Sequence, residues 1–251
     1  MNDAQRLRYS RHLLLDEWSE DLQQRLIDSH VLVVGAGGLG APALMYLASA
    51  GVGRLTVIDP DEVDLTNLQR QIVHRTDGIG RPKVASAYDT LRALNPEVQV
   101  QPVHARADDA LLAAWAPQAD LLLDCTDRFE TRHLLNRASV RHGKPLVLAS
   151  AVRWDGQLAV FDPRVPDSPC YACLFPPDEA PPEVRCATMG VFAPAVGQVG
   201  VMQAGAALRQ LAGLTPASAL GRLVMVDGRT GETSAVRFKR QPGCAVCGSA
   251  H

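Results

Sequence analysis

The 251-residue sequence has little excess charge of either sign. Its 25 lysines and arginines stand against 27 aspartates and glutamates, so the formal net charge is −2. A chain with this balance is not expected to carry a broad basic surface for nucleic acid or for an acidic membrane. The first residues, MNDAQRLRYSR, are polar and charged, which predicts that no secretory signal peptide is present. We therefore expect a cytoplasmic protein that binds neither nucleic acid nor membrane.

The sequence also lacks a dense hydrophobic run long enough to span a bilayer. The long uncharged stretch from Ala187 to Leu208 contains glycines, a proline and two glutamines, and is interpreted as a loop that leads into a buried helix. Six cysteines without an export signal do not indicate a disulfide framework. Internal repeats and low-complexity tracts are not evident.

Apolar strand patterns alternate with helical patterns in the first part of the chain. The predicted strands lie in VLVV, RLTVIDPDEVD, VQVQPVHA, DLLLDCTD and PLVLASAV, and the predicted helices include Lys83–Leu94, Asp109–Trp115 and Arg132–His142. This alternation predicts a parallel sheet with right-handed crossovers. After Gly156, the segments QLAVF, RLVMVD and SAVRFK predict strands in hairpins or meanders. We expect an α/β fold: a Rossmann-like, mostly parallel sheet with helices on both faces, extended by antiparallel strands in the C-terminal part.

A glycine-rich turn follows the first strand directly. Gly35, Gly37 and Gly40 have the G-x-G-x-x-G spacing of a dinucleotide-binding turn, with Gly38 inside it. Such glycines allow a tight turn, close approach of backbone amides to a phosphate, and close packing of helix on strand. Asp59 ends the next strand, where a carboxylate accepts hydrogen bonds from ribose hydroxyls. Taken alone, the pattern favours NAD, and a glycine turn without a ligand remains the alternative.

Polar residues beyond the second strand favour ATP instead. Asn67, Arg70 and Gln71 come shortly after the final aspartate of that strand, and Lys83 begins the next predicted helix. A diphosphate bound at a helix N-terminus needs few additional positively charged side chains, whereas cleavage of a triphosphate needs cations directed at the departing phosphates. Asp127 follows a buried strand, so it is expected at the carboxyl edge of the sheet, where a carboxylate can hold Mg²⁺. Each residue alone is more often an ordinary surface group, and the signal is the combination.

The motifs, taken together, resemble the MoeB/ThiF family, the bacterial relatives of ubiquitin-activating enzymes. The resemblance runs from about Arg8 to Gly248 and is carried by RYSRHLLL, GAGGLG, VIDPDEVDLTNLQRQ, RPKV, DCTD, CYACLFP and PGCAVCG. The family includes adenylyltransferases that act on sulfur carrier proteins in molybdopterin and thiamine biosynthesis. We therefore expect a single domain over residues 1–251, with a nucleotide-binding half (1–155) and a carrier-binding and zinc half (156–251).

The resemblance implies a role for each matching residue. Asp59 would hold the ATP ribose, with the Gly35–Gly40 turn beneath the phosphates, and Asp127 would hold Mg²⁺. Arg11 would reach into the ATP site of the neighbouring subunit, which makes the working unit a homodimer. The residues implied to contact or approach the phosphates are Asn67, Arg70, Gln71 and Lys83. The residues implied to be catalytic are Arg11, Arg70, Lys83, Asp127 and Cys186.

The reaction implied by the family is adenylation of a carboxylate. The substrate would be the C-terminal glycine of a small ubiquitin-fold sulfur carrier (MoaD-like or ThiS-like), whose carboxylate attacks the α-phosphorus of ATP and releases pyrophosphate. A carboxylate is already ionised at pH 7, so the protein supplies positioning and charge neutralisation rather than a base. No fused sulfurtransferase domain is evident before His251, so we expect the sulfur to come from a separate sulfurtransferase.

Four of the cysteines form two C-x-x-C pairs beside prolines and glycines, which fits a closed, structural, tetrahedral Zn²⁺ site. The four predicted ligands are Cys170, Cys173, Cys244 and Cys247. The competing interpretation is a redox C-x-x-C, which is disfavoured because neither pair is expected to open a helix after a strand. Cys125 lies in a buried strand and is expected in the core. Cys186 follows Arg185, a cation that would lower its pKa. The family resemblance implies a position near the adenylate, where Cys186 would be either a sulfur-relay or acyl-accepting thiol or a dispensable loop cysteine.

Three alternatives are open at this stage. A tRNA-modifying relative would activate a different carboxylate, but the near-neutral charge and the paired cysteines disfavour it. An NAD-dependent oxidoreductase would need a proton donor near the nicotinamide, and the scattered histidines offer no recognisable one. A zinc-stabilised binding module with an inactive nucleotide site would not be expected to keep Arg11 together with the polar residues around the glycine turn.

Overall fold

The computed structural model describes residues 1–179 and 189–248. These residues contain one eight-stranded sheet whose spatial order is β3-β2-β1-β4-β5-β6-β7-β8. The strands are β1 (His30–Val34), β2 (Arg54–Ile58), β3 (Gln99–Val103), β4 (Leu121–Asp124), β5 (Leu146–Val152), β6 (Asp155–Phe161), β7 (Arg222–Asp227) and β8 (Thr233–Arg237). The described helices longer than one 3-10 turn are α1 (Asp3–Arg8), α2 (Ser10–Leu13), α3 (Glu20–Asp28), α4 (Gly40–Ala50), α5 (Lys83–Leu94), α6 (Asp109–Trp115), α7 (Phe129–His142), α8 (Tyr171–Leu174) and α9 (Ala193–Ala212).

Strands β1 to β5 run parallel, and β6, β7 and β8 continue the same sheet in antiparallel pairs. The change of direction occurs at the β5–β6 hairpin, where Val152 pairs with Asp155. The predicted fold class is therefore confirmed. The strand order reverses between β1 and β4, and open α/β sheets place their ligand crevice at such a point, beyond the carboxyl ends of the strands.

Side chains of the parallel strands alternate between two cores on the two faces of the sheet. In β1, Val31 and Val33 pack in the core that includes residues of α4, α5 and α9, whereas Leu32 and Val34 pack in the core that includes residues of α6 and α7. All four side chains are buried. Because helices cover both faces of the sheet, the sequence of a parallel strand is a continuous apolar run, and VLVV has this pattern.

Several element ends follow from local chemistry. The side chain of Asp108 accepts a hydrogen bond from Leu111 N and caps the start of α6, and α4 ends at Gly51, whose φ of 94° suits glycine. Helix α7 begins at Phe129, one turn before the predicted start at Arg132, and this extra turn brings its first residues to the edge of the sheet near the end of β4. The apolar stretch interpreted as a buried helix is α9, and no helix in the described parts of the chain is long and apolar enough to cross a bilayer.

Candidate active site

A cavity of about 380 Å³ lies beyond the carboxyl ends of β1, β2 and β4, at the reversal of strand order. Most of the residues predicted from the sequence for the nucleotide site line this one cavity. They are Gly35, Gly37, Gly38, Asp59, Asn67, Arg70, Gln71, Lys83 and Asp127. The structure therefore brings together residues that are spread over more than ninety positions of the sequence.

The steric environment differs among the glycines of the turn. Gly35 has a φ of +100°, and a Cβ there would lie 2.6 Å from the carbonyl oxygen of Cys125. A Cβ at Gly40, the first residue of α4, would lie 2.0 Å from the carbonyl oxygen of Gly35. At Gly37, by contrast, a Cβ would meet only Gln71 Nε2, at 3.5 Å. The fold thus requires glycine at positions 35 and 40. At Gly37, the absence of a side chain instead keeps space free in the cavity.

Asp59 directly follows β2 and fixes the backbone of the glycine turn. Its Oδ2 accepts a hydrogen bond from Ala36 N at 2.7 Å, and its Oδ1 accepts one from Asp61 N at 2.8 Å. Burial raises the pKa of the Asp59 carboxyl, and the charge of Lys83 and the two backbone donors oppose that rise. His74, which sequence reasoning missed, is buried behind the turn with Nε2 2.8 Å from the carbonyl oxygen of Ala36.

Asn67 ends a 3-10 turn, and Arg70 and Gln71 follow it within four residues on the same stretch of chain. Arg70 Nη2 donates to Asn67 Oδ1 at 3.0 Å, which orients the guanidinium on the cavity wall. The side chain of Gln71 is buried, and its Oε1 has no hydrogen-bond partner among the described residues. A buried amide oxygen without a partner costs free energy, so Gln71 has capacity for one more donor at this edge of the cavity.

Lys83 is the first residue of α5 and is almost fully buried. Its Nζ lies 3.0 Å from Asp61 Oδ2, and the ammonium therefore has an anionic partner in this state. The backbone also joins these residues, because Lys83 N donates to the carbonyl oxygen of Asp61 at 2.9 Å. The helix start and the segment after β2 thus hold the lysine against the cavity.

The end of β4 contributes an aspartate that sequence reasoning overlooked. Asp124 is fully buried; its Oδ1 accepts from Thr126 N and Thr126 Oγ1, and its Oδ2 has no hydrogen-bond partner in the described parts of the chain. Burial raises its pKa to about 6, while the charge of Arg132 and hydrogen bonds from Thr126 oppose the rise. Asp127, the aspartate chosen from the sequence, lies exposed on the cavity wall. Further arginines missed from the sequence also line the cavity: Arg106, Arg128 and Arg132.

Among the described residues, one predicted catalytic residue is not in the cavity wall. Arg11 lies on the exposed surface of α2 and does not line the cavity of its own chain, so the role predicted for it in a neighbouring subunit stays a prediction. Cys186 lies outside the described residues. Cys125 is buried as expected, although it also lines the cavity, and its Sγ donates to Gln203 Oε1 at 3.4 Å.

The four paired cysteines converge on one point. The Sγ atoms of Cys170, Cys173, Cys244 and Cys247 all lie within 4.8 Å of one another. The Sγ–Sγ distance is 3.6 Å from Cys170 to Cys244 and 3.4 Å from Cys173 to Cys247. A tetrahedral Zn²⁺ with Zn–S bonds of about 2.3 Å separates its sulfurs by about 3.8 Å, so the donor set fits zinc. Backbone N–H donors, acting against burial, lower the pKa of Cys244 to about 7 and favour a thiolate there.

One detail of the cysteine prediction is wrong. The first pair does open a helix, since Cys170 precedes the one-turn helix α8 that contains Cys173. Tyr171 N finds its acceptor on the side chain of Asn136, so the turn forms against α7 rather than from local sequence pattern. The convergence of all four sulfurs still favours a metal site over two separate redox pairs.

The Rossmann-like sheet with its glycine turn and clustered cations places the protein in the α/β class of nucleotide-binding folds, and its four paired cysteines are grouped closely enough to hold a metal ion. The model of the ThiF family matches residues 9–246, and the chain belongs to that family. It is 44% identical over 252 residues to the sulfur carrier protein ThiS adenylyltransferase of Escherichia coli K12, with 100% of this chain and 98% of the relative covered. It is also 44% identical to the molybdopterin-synthase adenylyltransferase of the same organism, with 99% and 98% covered.

A solved structure gives the same fold. The crystal structure of Escherichia coli MccB with ATP superposes with a TM-score of 0.82, covering 96% of this chain and 73% of that chain. The sequence identity is 23%, so this likeness is evidence for the fold alone.

Proposed function

We propose that this protein is an adenylyltransferase that uses ATP to activate the C-terminal glycine carboxylate of a small ubiquitin-fold sulfur carrier, ThiS-like or MoaD-like, and releases pyrophosphate. The adenylate would then be converted to a thiocarboxylate for thiamine or molybdopterin biosynthesis. The observation that carries the proposal is one cavity that Arg70, Lys83 and Asn67 line together with the glycine turn. The names of two relatives that are 44% identical over nearly their whole length support the same reaction.

The geometry suits transfer of an adenylyl group better than transfer of a hydride. The attacking carboxylate is ionised at pH 7, so no general base is required. The protein must instead hold the carboxylate in line with the α-phosphorus and neutralise the charge that develops on the departing pyrophosphate. We assign this neutralisation to Arg70 and Lys83. We assign the ribose to Asp59, which lines the cavity, and the phosphates to the backbone amides of the glycine turn.

Mg²⁺ and Zn²⁺ have separate proposed places. Asp127 offers an exposed carboxylate at the cavity, the type of oxygen ligand that Mg²⁺ shares with phosphates, and the bound ion would supply further charge neutralisation. The four cysteines would hold Zn²⁺ in a closed structural site, since four thiolates leave no coordination position for a substrate. This cluster ties residues 244 and 247 to the segment that follows β6.

The remaining parts of the proposal concern assembly. We propose a cytoplasmic homodimer in which Arg11 completes the site of the other subunit, since Arg11 is exposed and lies outside its own cavity. Residues 1–155 form the nucleotide-binding half and 156–251 the carrier-binding and zinc half of one domain.

A separate sulfurtransferase would supply the sulfur. Cys186 is proposed as a sulfur-relay or acyl-accepting thiol, and retention of carrier adenylation and thiocarboxylation by Cys186→Ala would remove that role.

The direct test is a mass measurement on the carrier. Purified protein is incubated with ATP, Mg²⁺ and either a ThiS-like or a MoaD-like carrier, and the carrier is examined for an added AMP group. The matched control is the same carrier without its C-terminal glycine. We expect the adenylate and carrier-dependent ATP–pyrophosphate exchange with at least one intact carrier and with neither truncated one. Absence of exchange with both carriers, together with reduction or oxidation of a nicotinamide cofactor, would contradict the proposal.

A further inference from the structure

The cations that line the nucleotide cavity differ in their partners. Lys83 pairs with Asp61, and Arg70 donates to the side chain of Asn67. Arg132 of α7 also lines the cavity and is half-buried, yet it forms no ion pair with a residue that the structure describes. A half-buried charge without an ionic partner costs free energy, so Arg132 has capacity for an anion that comes from another molecule.

The guanidinium of Arg132 is anchored at the ends of two strands. Its Nη2 donates to Ser150 Oγ of β5 at 3.1 Å and to the carbonyl oxygen of Thr126, just after β4, at 3.4 Å. Both acceptors are neutral, so they orient the group without cancelling its charge. Asp124 does not complete a pair either, because its Oδ2 and Arg132 Nε are both buried without a hydrogen-bond partner among the described residues.

The sheet order places Arg132 and the residues assigned to the pyrophosphate on different sides of the glycine turn. The strands at the cavity follow the order β2-β1-β4-β5. Arg70 and Lys83 lie on the chain between β2 and β3, the glycine turn follows β1, and Arg132 is anchored at β4 and β5. Displacement at phosphorus brings the attacking and leaving oxygens roughly into line. With pyrophosphate departing toward Arg70 and Lys83, the attacking group arrives from the side of Arg132.

A second cavity gives a polypeptide access from this side. It has a volume of about 500 Å³, lies at the turn between β5 and β6, and is lined by residues that include Trp154, Phe192 and Arg229. The rings of Trp154 and Phe192 have centroids 4.2 Å apart. Val191 lines this cavity and the nucleotide cavity, so the two adjoin. A chain that lies against these rings can present its last residue to Arg132.

We propose that Arg132 binds the C-terminal carboxylate of the carrier and orients it toward the α-phosphorus of ATP. This inference deepens the proposed function and rests on it. A guanidinium is planar, and its donors form a fork that matches a carboxylate. One carboxylate oxygen forms the bond to the α-phosphorus while the bond from that phosphorus to the pyrophosphate oxygen breaks, and its electron pair leaves with pyrophosphate. The guanidinium holds the carboxylate in place, and no proton moves.

Carrier-dependent ATP–pyrophosphate exchange at saturating ATP tests this assignment. We expect Arg132→Gln to lower kcat/KM for the carrier by about tenfold or more, the effect of losing a hydrogen bond to a charged group, and to leave the Kd of a non-hydrolysable ATP analogue within about twofold. Arg132→Lys keeps the charge near Asp124 but not the planar fork, so it should show a smaller loss in the same direction even where Arg132→Gln folds poorly. A loss of analogue affinity that equals the loss in kcat/KM would assign Arg132 to the nucleotide and overturn the proposal.

The matched control is Arg137→Gln, which removes a positive charge from the same helix. Arg137 does not line the cavity, and its Nη2 lies 3.5 Å from Asp109 Oδ2. We expect the kcat/KM of this variant to equal that of the wild type. An equal loss in Arg132→Gln and Arg137→Gln would be a general effect of charge on α7, and it would also overturn the proposal.

A pair of peptides separates this proposal from the proposed function. A peptide that ends in Gly-Gly is titrated as the free acid and as the C-terminal amide into the wild type and Arg132→Gln, and binding is followed by NMR. Tighter binding of the free acid by the wild type, with no such preference in Arg132→Gln, supports the assignment. A wild type without this preference overturns it, even where exchange shows that the carrier is adenylated. Absence of exchange with both carriers contradicts the proposed function, and the peptides then decide on Arg132 alone.

Discussion

Lys83 Nζ lies 3.0 Å from Asp61 Oδ2, in an ion pair whose lysine side chain is 6% exposed and whose aspartate side chain is 60% exposed. The two partners are therefore not equivalent. The exposed Asp61 side chain can rotate into the solvent at little cost in free energy, whereas the buried Lys83 ammonium needs an anion close by. We infer that Asp61 neutralises Lys83 while the cavity is empty and that a phosphate takes over when a nucleotide binds.

Replacing Lys83 tests whether this side chain stabilises the departing pyrophosphate. We expect Lys83→Met to lower carrier-dependent ATP–pyrophosphate exchange by about a hundredfold or more, the size of effect seen when one charge-stabilising group is removed. Lys239→Met is the matched control, since Lys239 is exposed and lies after β8, away from the cavity. Exchange in Lys83→Met within a fewfold of that in Lys239→Met would show that the lysine has no such role.

Two glycines of the same turn should respond differently to one added methyl group. Gly40→Ala places a Cβ 2.0 Å from the carbonyl oxygen of Gly35, so we expect poor folding or a large loss of stability. Gly37→Ala meets only Gln71 Nε2 at 3.5 Å, so it should fold normally and instead weaken ATP binding by narrowing the cavity. Thermal unfolding and calorimetric titration with ATP measure the two effects. A well-folded Gly40→Ala, or full ATP affinity in Gly37→Ala, would contradict these steric assignments.

The raised pKa of Asp124 predicts a pH dependence of stability. Its folded-state pKa of about 6 lies above its ordinary value of 3.8, so the folded protein binds this proton more tightly than the unfolded chain. The stability it contributes is present below pH 4 and is lost as the pH rises to about 6. Asp124→Asn does not titrate, so its stability relative to the wild type should increase by about 2 kcal/mol between pH 4 and pH 7.

Urea unfolding of both proteins across this pH range measures the difference. The buried histidines are the same in both proteins, so their titration cancels in the comparison. A difference that does not change with pH would mean that Asp124 is not held in a desolvated, partly protonated state.

The parallel sheet, the glycine turn and the grouping of the four cysteines could be predicted because each has a local signature in the sequence. VLVV is an unbroken apolar run since both faces of β1 are covered, and the two C-x-x-C pairs have metal-ligand spacing. The sequence does not distinguish the environments of Asp124 and Asp127, because both lie in DCTD. Only the position at which β4 ends determines which of the two is buried. The extra first turn of α7, which precedes Arg132, was missed because Arg128 offers no side-chain cap that would mark the helix start.

His74 and Tyr171 have no signal in the sequence that could have identified them. His74 acts through a hydrogen bond to the carbonyl oxygen of Ala36, 38 positions away, and Tyr171 through contacts with α7. Such contacts are set by which segments the fold brings together, and neither the periodicity nor the composition of either segment encodes the partner.

The exposed position of Arg11 gives a test of the homodimer. If Arg11 completes the site of the other subunit, Arg11→Ala and Lys83→Met should each be inactive alone, because every site in either homodimer lacks one residue. Mixed dimers contain one site that lacks both residues and one complete site, formed by the Arg11 of one chain and the Lys83 of its partner. Random pairing in an equal co-expression should therefore restore about a quarter of the wild-type ATP–pyrophosphate exchange. If Arg11 served its own chain, both sites of the mixed dimer would stay defective, and no exchange would return.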